Sequence, residues 1–325
     1  MKGGAVIEAA AKVSKVAFDK TGTLTHGRPQ VTDLVPFGHT TEAQLLEVAA
    51  GVESGSSHPL AVAILNRAET AGVPALPARD ARALAGRGVV ATVGDAPAWV
   101  TSPRHASENG GLDELGLRQA TMFEEQGKTA VAVYREGIPL GLIAMRDEPR
   151  ADAAEAVRQL SAMGITSTIL TGDNPRTAAA IAEGLGMQFQ ADMMPEDKLT
   201  AIRDMSEHGG VMMIGDGIND APALKQADVG VAMGSGTDVA LETADAAILR
   251  DRVIDIPAMI RLARAAMANV RQNVAIALGL KAVFLVTTIL GITGLWIAIL
   301  ADTGATVLVT LNALRLLAFK PEREA

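Results

Sequence analysis

The sequence contains no cysteine. Disulfides, thiolate nucleophiles and cysteine-based metal sites are therefore excluded from this chain. Aromatic residues are scarce, with two tryptophans, one tyrosine and six phenylalanines in 325 residues. Few faces are left on which bases could stack. A basic field is also lacking, since the formal net charge is −8. Together these features argue against nucleic acid as a partner. Residues 1–18 hold Glu8 and three lysines with no long apolar stretch, so no secretory signal is visible. Internal repeats and low-complexity tracts are absent as well.

Hydrophobic residues make up 49% of the chain, and they are unevenly spread. Polar and apolar patches alternate through residues 1–270, whereas 274–317 are almost wholly apolar. This pattern predicts a water-facing body with a membrane tail, and the length allows two compact domains in that body.

Lys15–Asp19 reads as a short buried strand ending on a carboxylate. A helix is predicted over 151–163, a strand over Ser167–Leu170 and a helix over Arg176–Leu185. Glu196–Glu207 reads as a further helix, with strands at Val211–Ile214, Val229–Met233 and Ala246–Leu249. Strands alternating with helices predict an α/β fold with a doubly wound parallel sheet. Ligands bind such sheets beyond the carboxyl ends of the strands. Asp19, Thr171 and Asp216 each follow a strand, so all three are expected to converge on one crevice. Between them, residues 29–140 form an inserted α+β domain, with helices at Glu42–Ala50 and Pro59–Ala71. Its strands are expected at Val89–Val93, Thr129–Tyr134 and Leu140–Ala144, and 101–111 as an exposed loop. The remaining body, 1–28 and 141–255, is expected to form the first domain. The Met193-Met194 and Met212-Met213 pairs read as core, and His26, His39, His105 and His208 as surface residues.

Residues 256–273 read as a helix carrying Arg261, Arg264 and Arg271. Apolar runs follow at Val274–Leu290 and Leu295–Leu317, separated by Gly291–Gly294. Counted with its flanking turn, each approaches the roughly 20 residues that span a bilayer. Arginines precede the first run, and Arg315, Lys320 and Arg323 end or follow the second. Positive charge on both flanks and none in the short loop puts both ends in the cytoplasm. Lys281 and Asp302 fall near mid-membrane. Charges there are costly and mark function, unless they form a purely structural ion pair.

The most specific string is Asp19-Lys20-Thr21-Gly22-Thr23-Leu24-Thr25. A carboxylate exposed at a strand end can attack the γ-phosphorus of ATP and form an acyl phosphate. Two anions must approach, so Mg²⁺ and a lysine are needed to screen them. This string resembles the phosphorylation site of P-type ATPases, within the haloacid dehalogenase-like superfamily. Three further strings follow in the family's order. They are Thr171-Gly172-Asp173, Pro195-Glu196-Asp197-Lys198 and Gly215-Asp216-Gly217-Ile218-Asn219-Asp220-Ala221-Pro222. Thr-Gly-Asp taken alone is only a turn before a helix cap; the ordered set carries the resemblance. It implies that Thr171 holds a phosphoryl oxygen and that Lys198 is the screening lysine. It further implies that Asp19, Asp216 and the Thr21 carbonyl bind Mg²⁺, supported by Asn219 and Asp220. Soluble phosphatases of this superfamily carry a second acid two residues after the nucleophile. Thr21 stands there instead, so the aspartyl phosphate is expected to persist.

The inserted domain contains Glu53, His58-Pro59 and Gly86-Arg87-Gly88, each weak alone. Together they resemble the nucleotide site of heavy-metal P-type ATPases. That implies His58 near the adenine, Glu53 on its edge, and Gly86 and Gly88 admitting the backbone to the nucleotide. Ser57 departs from the pattern, since many members have Glu there. Gly279-Leu280-Lys281 with Ala301-Asp302-Thr303-Gly304 resembles the last two helices of zinc/cadmium/lead exporters. Asp302 would bind the transported divalent ion, with Lys281 as built-in counter-ion.

These resemblances imply a multi-pass protein of the cell (inner) membrane with cytoplasmic catalytic domains. The family's earlier membrane helices and actuator domain have no counterpart in this chain. It is therefore expected to be a fragment, a truncated gene product or one piece of a split pump, with the missing N-terminal part as a candidate partner, and not to transport by itself. Two other readings stay open, a membrane-anchored phosphohydrolase and a nucleotide-binding regulator that does not transport.

Overall fold

The computed structural model describes residues 1–217, 220–291 and 294–319, the side chains of 295 and 297–302 excepted. Asn219 and the Asp302 side chain lie outside the described residues.

Two six-stranded sheets organise the body. The first is wholly parallel. Its strands are β1 (Val13–Asp19), β8 (Thr166–Leu170), β9 (Gln188–Gln190), β10 (Gly210–Gly215), β11 (Val229–Met233) and β12 (Ala246–Ile248). They lie in the order β12-β11-β10-β1-β8-β9. Both faces are covered, as a parallel sheet requires. Val16, Phe18, Met212 and Ile214 enter one core cluster, while Ala17, Val211 and Met213 enter the other. The chain builds β8 and β9 on one side of β1 and then crosses back to β10 on the other. The order therefore reverses beside β1, where such sheets form their ligand crevice. Register completes the alignment: Asp19 pairs with Leu170 and Phe18 with Ile214.

The second sheet is antiparallel and interrupts the first. It contains β2 (Gln30–Pro36), β3 (Ala78–Leu84), β4 (Gly88–Val93), β5 (Ala96–Thr101), β6 (Thr129–Arg135) and β7 (Ile138–Arg146). The order is β2-β7-β6-β5-β4-β3. Along β6 the side chains alternate as the pleat demands. Val131 and Val133 pack with helices α2 (Glu42–Glu53) and α3 (Pro59–Thr70). Ala130, Ala132 and Tyr134 pack with α4 (Pro103–Glu108) and α5 (Glu114–Glu125).

Several expectations are corrected here. Residues 101–111 are not an exposed loop. Ser102 caps α4 by accepting from the His105 N–H, Pro103 occupies its first position, and Pro103 and Ala106 are buried. Ser-Pro served as a helix start rather than a turn. Strand β7 runs to Arg146 and pairs with β2, so the antiparallel sheet continues past residue 140. Met212 and Met213 are fully buried, but Met194 is 54% exposed at the start of a helix and is not core. His105 is half-buried, whereas His26, His39 and His208 are exposed.

The apolar tail begins inside the body. Helix α11 (Asp255–Ile289) is continuous for 35 residues, so the predicted arginine helix and first apolar run are one rod. Its base packs into the parallel-sheet core through Ile256, Ile260 and Ala263. Arg264 donates to the Val13 carbonyl at 3.1 Å, and Arg261 donates to Gln159 at 2.8 Å. Among the described residues, α11 is the one helix long and apolar enough to cross a membrane. Helix α12 (Leu295–Leu314) follows. Amides clasp the two together. Asn269 donates to the Asn312 carbonyl at 2.6 Å, and the Asn312 amide donates to Asn273 at 2.8 Å. Such pairs hold helices together where solvent is apolar. Lys281 lies on α11.

Candidate active site

Strand β1 ends on Asp19, and the chain then coils tightly through Lys20–Leu24. Gly22 makes the coil possible. Its φ is 75°, and a Cβ there would lie 1.6 Å from Asp216 Oδ2. Only glycine allows this backbone angle and this approach together. Thr25 closes the coil, its N–H donating to the Lys20 carbonyl at 3.1 Å and its hydroxyl to Asp147 at 2.5 Å.

Asp19, Asp216 and Asp220 bring carboxylate oxygens within 4.8 Å of one another. Asp19 and Asp220 are buried. Lys198 enters from the first turn of α8 (Pro195–Glu207) and is buried as well. Its ammonium donates to Asp19 and, at 2.9 Å, to Asp220. Burial opposes the ammonium charge, but Asp19 and Asp220 outweigh it and push the lysine above its ordinary range. Burial, reinforced by the negative charge of Asp220, pushes Asp19 up to about 7. The same two causes push Asp216 up to about 6. Three carboxylates facing one lysine thus form an anionic pocket short of positive charge. The donors are all oxygen, which suits a hard divalent cation such as Mg²⁺. The Gly22 cradle, where a Cβ would meet Asp216, fits the same demand.

Thr171 is buried at the end of β8, and its hydroxyl accepts from the Asp173 N–H at 3.1 Å. Asp173 forms an ion pair with Lys20. The two motif lysines therefore divide the work. Lys198 faces the acidic pocket, and Lys20 ties the coil to the Thr171–Asp173 turn. Asn174 then caps α7 (Pro175–Leu185), accepting from the N–H groups of Arg176 and Thr177.

In the inserted domain, Glu53 ends α2 and is buried, and burial pushes it up to about 7. His58 caps α3, where its Nδ1 accepts from the Leu60 N–H at 3.3 Å. The ring proton then sits on Nε2; His58 is exposed on the whole, and partial desolvation of its ring lowers its ordinary value. Pro59 occupies the first helical position. Gly86 has φ 66° and open space around it. Gly88 is different, because a Cβ there would strike the Val100 carbonyl of β5 at 2.2 Å. Strand packing alone thus demands glycine at 88.

Three features escaped sequence reasoning. Asp147 accepts from Thr25 and from the N–H groups of Gly27 and Arg28, both at 3.1 Å. Arg150 donates to backbone carbonyls in two separate segments. Buried Glu124 of α5 accepts from Asn174 at 3.1 Å and from Arg176 at 3.0 Å, joining the inserted domain to α7. The polar run Arg146–Arg150 directly after an apolar strand was the available signal for the first two.

Residues 14–228 match the family model of haloacid dehalogenase-like hydrolases. The chain belongs to that family. Heavy-metal P-type ATPases are among its relatives. The chain is 52% identical, over 98% of its length, to the zinc/cadmium/lead-transporting P-type ATPase of Escherichia coli K12. It is 42% identical, again over 98%, to a cadmium-transporting ATPase of Staphylococcus aureus. It spans 43% and 45% of those two proteins, respectively. A crystal structure of a zinc-transporting PIB-type ATPase in the E2·Pi state matches 97% of this chain and 51% of its own. That match has a TM-score of 0.74 and 51% identity.

Proposed function

We propose that this chain is the catalytic and C-terminal membrane portion of an ATP-driven exporter of divalent heavy-metal ions. Asp19 is the phosphoryl acceptor. The observation that carries this reading is the position of Asp19. It ends the strand beside the sheet's switch point, with Lys198 on its carboxylate and Asp216 and Asp220 alongside.

An Asp19 carboxylate oxygen attacks the γ-phosphorus of ATP. The bond from that phosphorus to the β,γ-bridging oxygen breaks, and ADP leaves with the electron pair. Lys198 offsets the repulsion between the carboxylate and the incoming phosphoryl oxygens. Thr171 offers its hydroxyl to one of those oxygens. Mg²⁺ would be held by Asp19, Asp216 and the Thr21 carbonyl, with Asn219 and Asp220 in support, and would neutralise charge on the phosphates. Lys20, paired with Asp173, keeps the coil against the Thr171-Gly172-Asp173 turn. Thr21 lacks the acid–base chemistry of a phosphatase, which weighs against a simple phosphohydrolase.

The inserted domain supplies the nucleotide site. Glu53 and the Nε2–H of His58 meet the adenine, Pro59 presets the helix behind them, and Gly86 and Gly88 flank the nucleotide. With β7 assigned to its sheet, this domain extends to about residue 146, and the phosphorylation domain comprises 1–28 and the following segment to 255. Residues 256–325 form the stalk and membrane hairpin. Asp302 takes Zn²⁺, Cd²⁺ or Pb²⁺ with Lys281 as counter-ion, in the inner membrane, with both termini cytoplasmic. The remaining membrane helices and the actuator domain come from the rest of the pump.

Incubation with γ-labelled ATP and Mg²⁺ tests this reading. The expected result is an acid-stable, hydroxylamine-labile label that Asp19→Asn abolishes. A label that survives Asp19→Asn, or none on the unmodified chain, would refute it.

A further inference from the structure

Arg150 reaches neither the acidic pocket nor any other side chain by the bonds it makes, yet it is the most heavily engaged arginine beside the site. Its Nε donates to the Thr23 carbonyl at 3.0 Å and its Nη2 to the Gly22 carbonyl at 2.9 Å. Its backbone N–H takes the Leu24 carbonyl at 2.8 Å. The Lys20 carbonyl is already held by the Thr25 N–H at 3.1 Å. Within the coil, the Thr21 carbonyl is held by none of these donors.

The third guanidinium bond leads elsewhere. Nη1 donates to the Asp251 carbonyl at 2.8 Å. Asp251 has φ 51°, a conformation that favours glycine, and its carboxylate accepts from the Ser235 N–H at 2.7 Å. Two residues on, the Thr237 N–H donates to the Asp216 carbonyl at 2.7 Å. A Cβ on the intervening Gly236 would lie 2.9 Å from that same oxygen. The connections close a ring that runs from the coil through Arg150, the Asp251 turn and the Ser235–Thr237 turn to the backbone of Asp216. Asp216 then meets the coil again across Gly22. Four residues beyond Asp251, helix α11 begins.

We propose that Arg150 is a positioning residue for phosphoryl transfer. It fixes the two walls of the cation pocket, the coil after Asp19 and the backbone of Asp216, at one separation. It also fastens this pocket to the turn that opens the stalk helix. The proposal rests on the reading of Asp19 and its neighbours as a Mg²⁺-dependent phosphoacceptor site. Only a guanidinium satisfies three carbonyls in two directions, because its donors form a rigid planar fork. A lysine keeps the charge and loses the geometry.

The test uses the full chain in detergent, with Mn²⁺ as a spectroscopic stand-in for Mg²⁺. Arg150→Lys should weaken Mn²⁺ binding, read by electron paramagnetic resonance, by about tenfold or more. Half-maximal labelling of Asp19 should shift to correspondingly higher Mg²⁺, while metal-free ATP affinity stays within about twofold. Arg150 lines a cleft of about 400 Å³, so small solutes can reach its place. Guanidinium added to Arg150→Ala should restore Mn²⁺ affinity, and ammonium at equal concentration should not. Thermal melts and metal-free ATP binding verify that each variant is folded. Wild-type Mn²⁺ affinity in Arg150→Lys would overturn the proposal, as would equal rescue by ammonium. If the unmodified chain takes no label, the phosphoacceptor reading fails, while the Mn²⁺ measurements still decide the role of Arg150.

Discussion

Asp19 in the parallel-sheet domain and Glu53 in the inserted domain are both buried carboxylates pushed up to about 7, but for different reasons. Glu53 is raised by burial alone, with Ser56 opposing. Asp19 is raised by burial and by Asp220, with Lys198 opposing. The first environment is suited to a carboxyl that keeps its proton up to near-neutral pH and can donate a hydrogen bond. The second is suited to one that ionises when positive charge arrives. A divalent cation beside Asp19 reverses its shift, whereas nothing comparable stands beside Glu53. On the proposed reading, one domain offers a nucleophile armed by a cation, and the other a hydrogen-bonding group armed by dryness.

The sharpest way to break this contrast is to remove the lysine. Lys198→Met leaves Asp19 and Asp220 buried together without their shared partner. Asp19 labelling at saturating ATP should fall by about 10²–10³-fold, with nucleotide affinity unchanged. Weakened ATP binding in that variant would show that the two carboxylates do not act separately. Gly22→Ala comes next. Its Cβ meets Asp216 and its φ is positive, so labelling should drop by about 10-fold or more and require more Mg²⁺, and the melting temperature should fall.

Glu53→Gln probes the dry carboxyl. Its folded value of about 7 lies above the ordinary 4.5, so the native state holds the proton more tightly than the unfolded chain. Stability from this group therefore declines as pH rises from about 4.5 to 7, and the deficit is complete above 7. Glu53→Gln removes the deficit. The variant should gain on the order of 1–3 kcal/mol over the unmodified chain at pH 8 and nothing at pH 4, measured by denaturant melts. An equal gain at both pH values would deny the raised carboxyl. Labelling of Asp19 at saturating ATP should change least of all.

The parallel domain was largely legible in the sequence because three of the four motif strings follow a strand. Parallel pairing then aligns the strand ends, as the register of Asp19 with Leu170 shows. The inserted domain was less legible. Its charged edge strand β3 and the proline-containing strands β2 and β5 lack a clean apolar alternation. Helix α4 hid behind a Ser-Pro pair that also reads as a turn. Arg150 and Asp147 were marked only by the polar run after β7, which does not say what they bind. They bind backbone atoms up to 128 residues away, and backbone atoms carry no sequence signal. Glu124 likewise finds Arg176 only because α5 and α7 meet across the two domains.

The lifetime of the phosphoryl group on Asp19 tests the central claim most directly. The chain is labelled from γ-labelled ATP, chased with unlabelled ATP and an excess of chelator, and compared with Thr21→Asp. The account predicts that the unmodified chain keeps its label, while Thr21→Asp, which restores an acid and base two residues from the nucleophile, loses it at least about tenfold faster. Equally rapid loss from both chains would contradict the view that Asp19 stores the phosphoryl group rather than passing it straight to water.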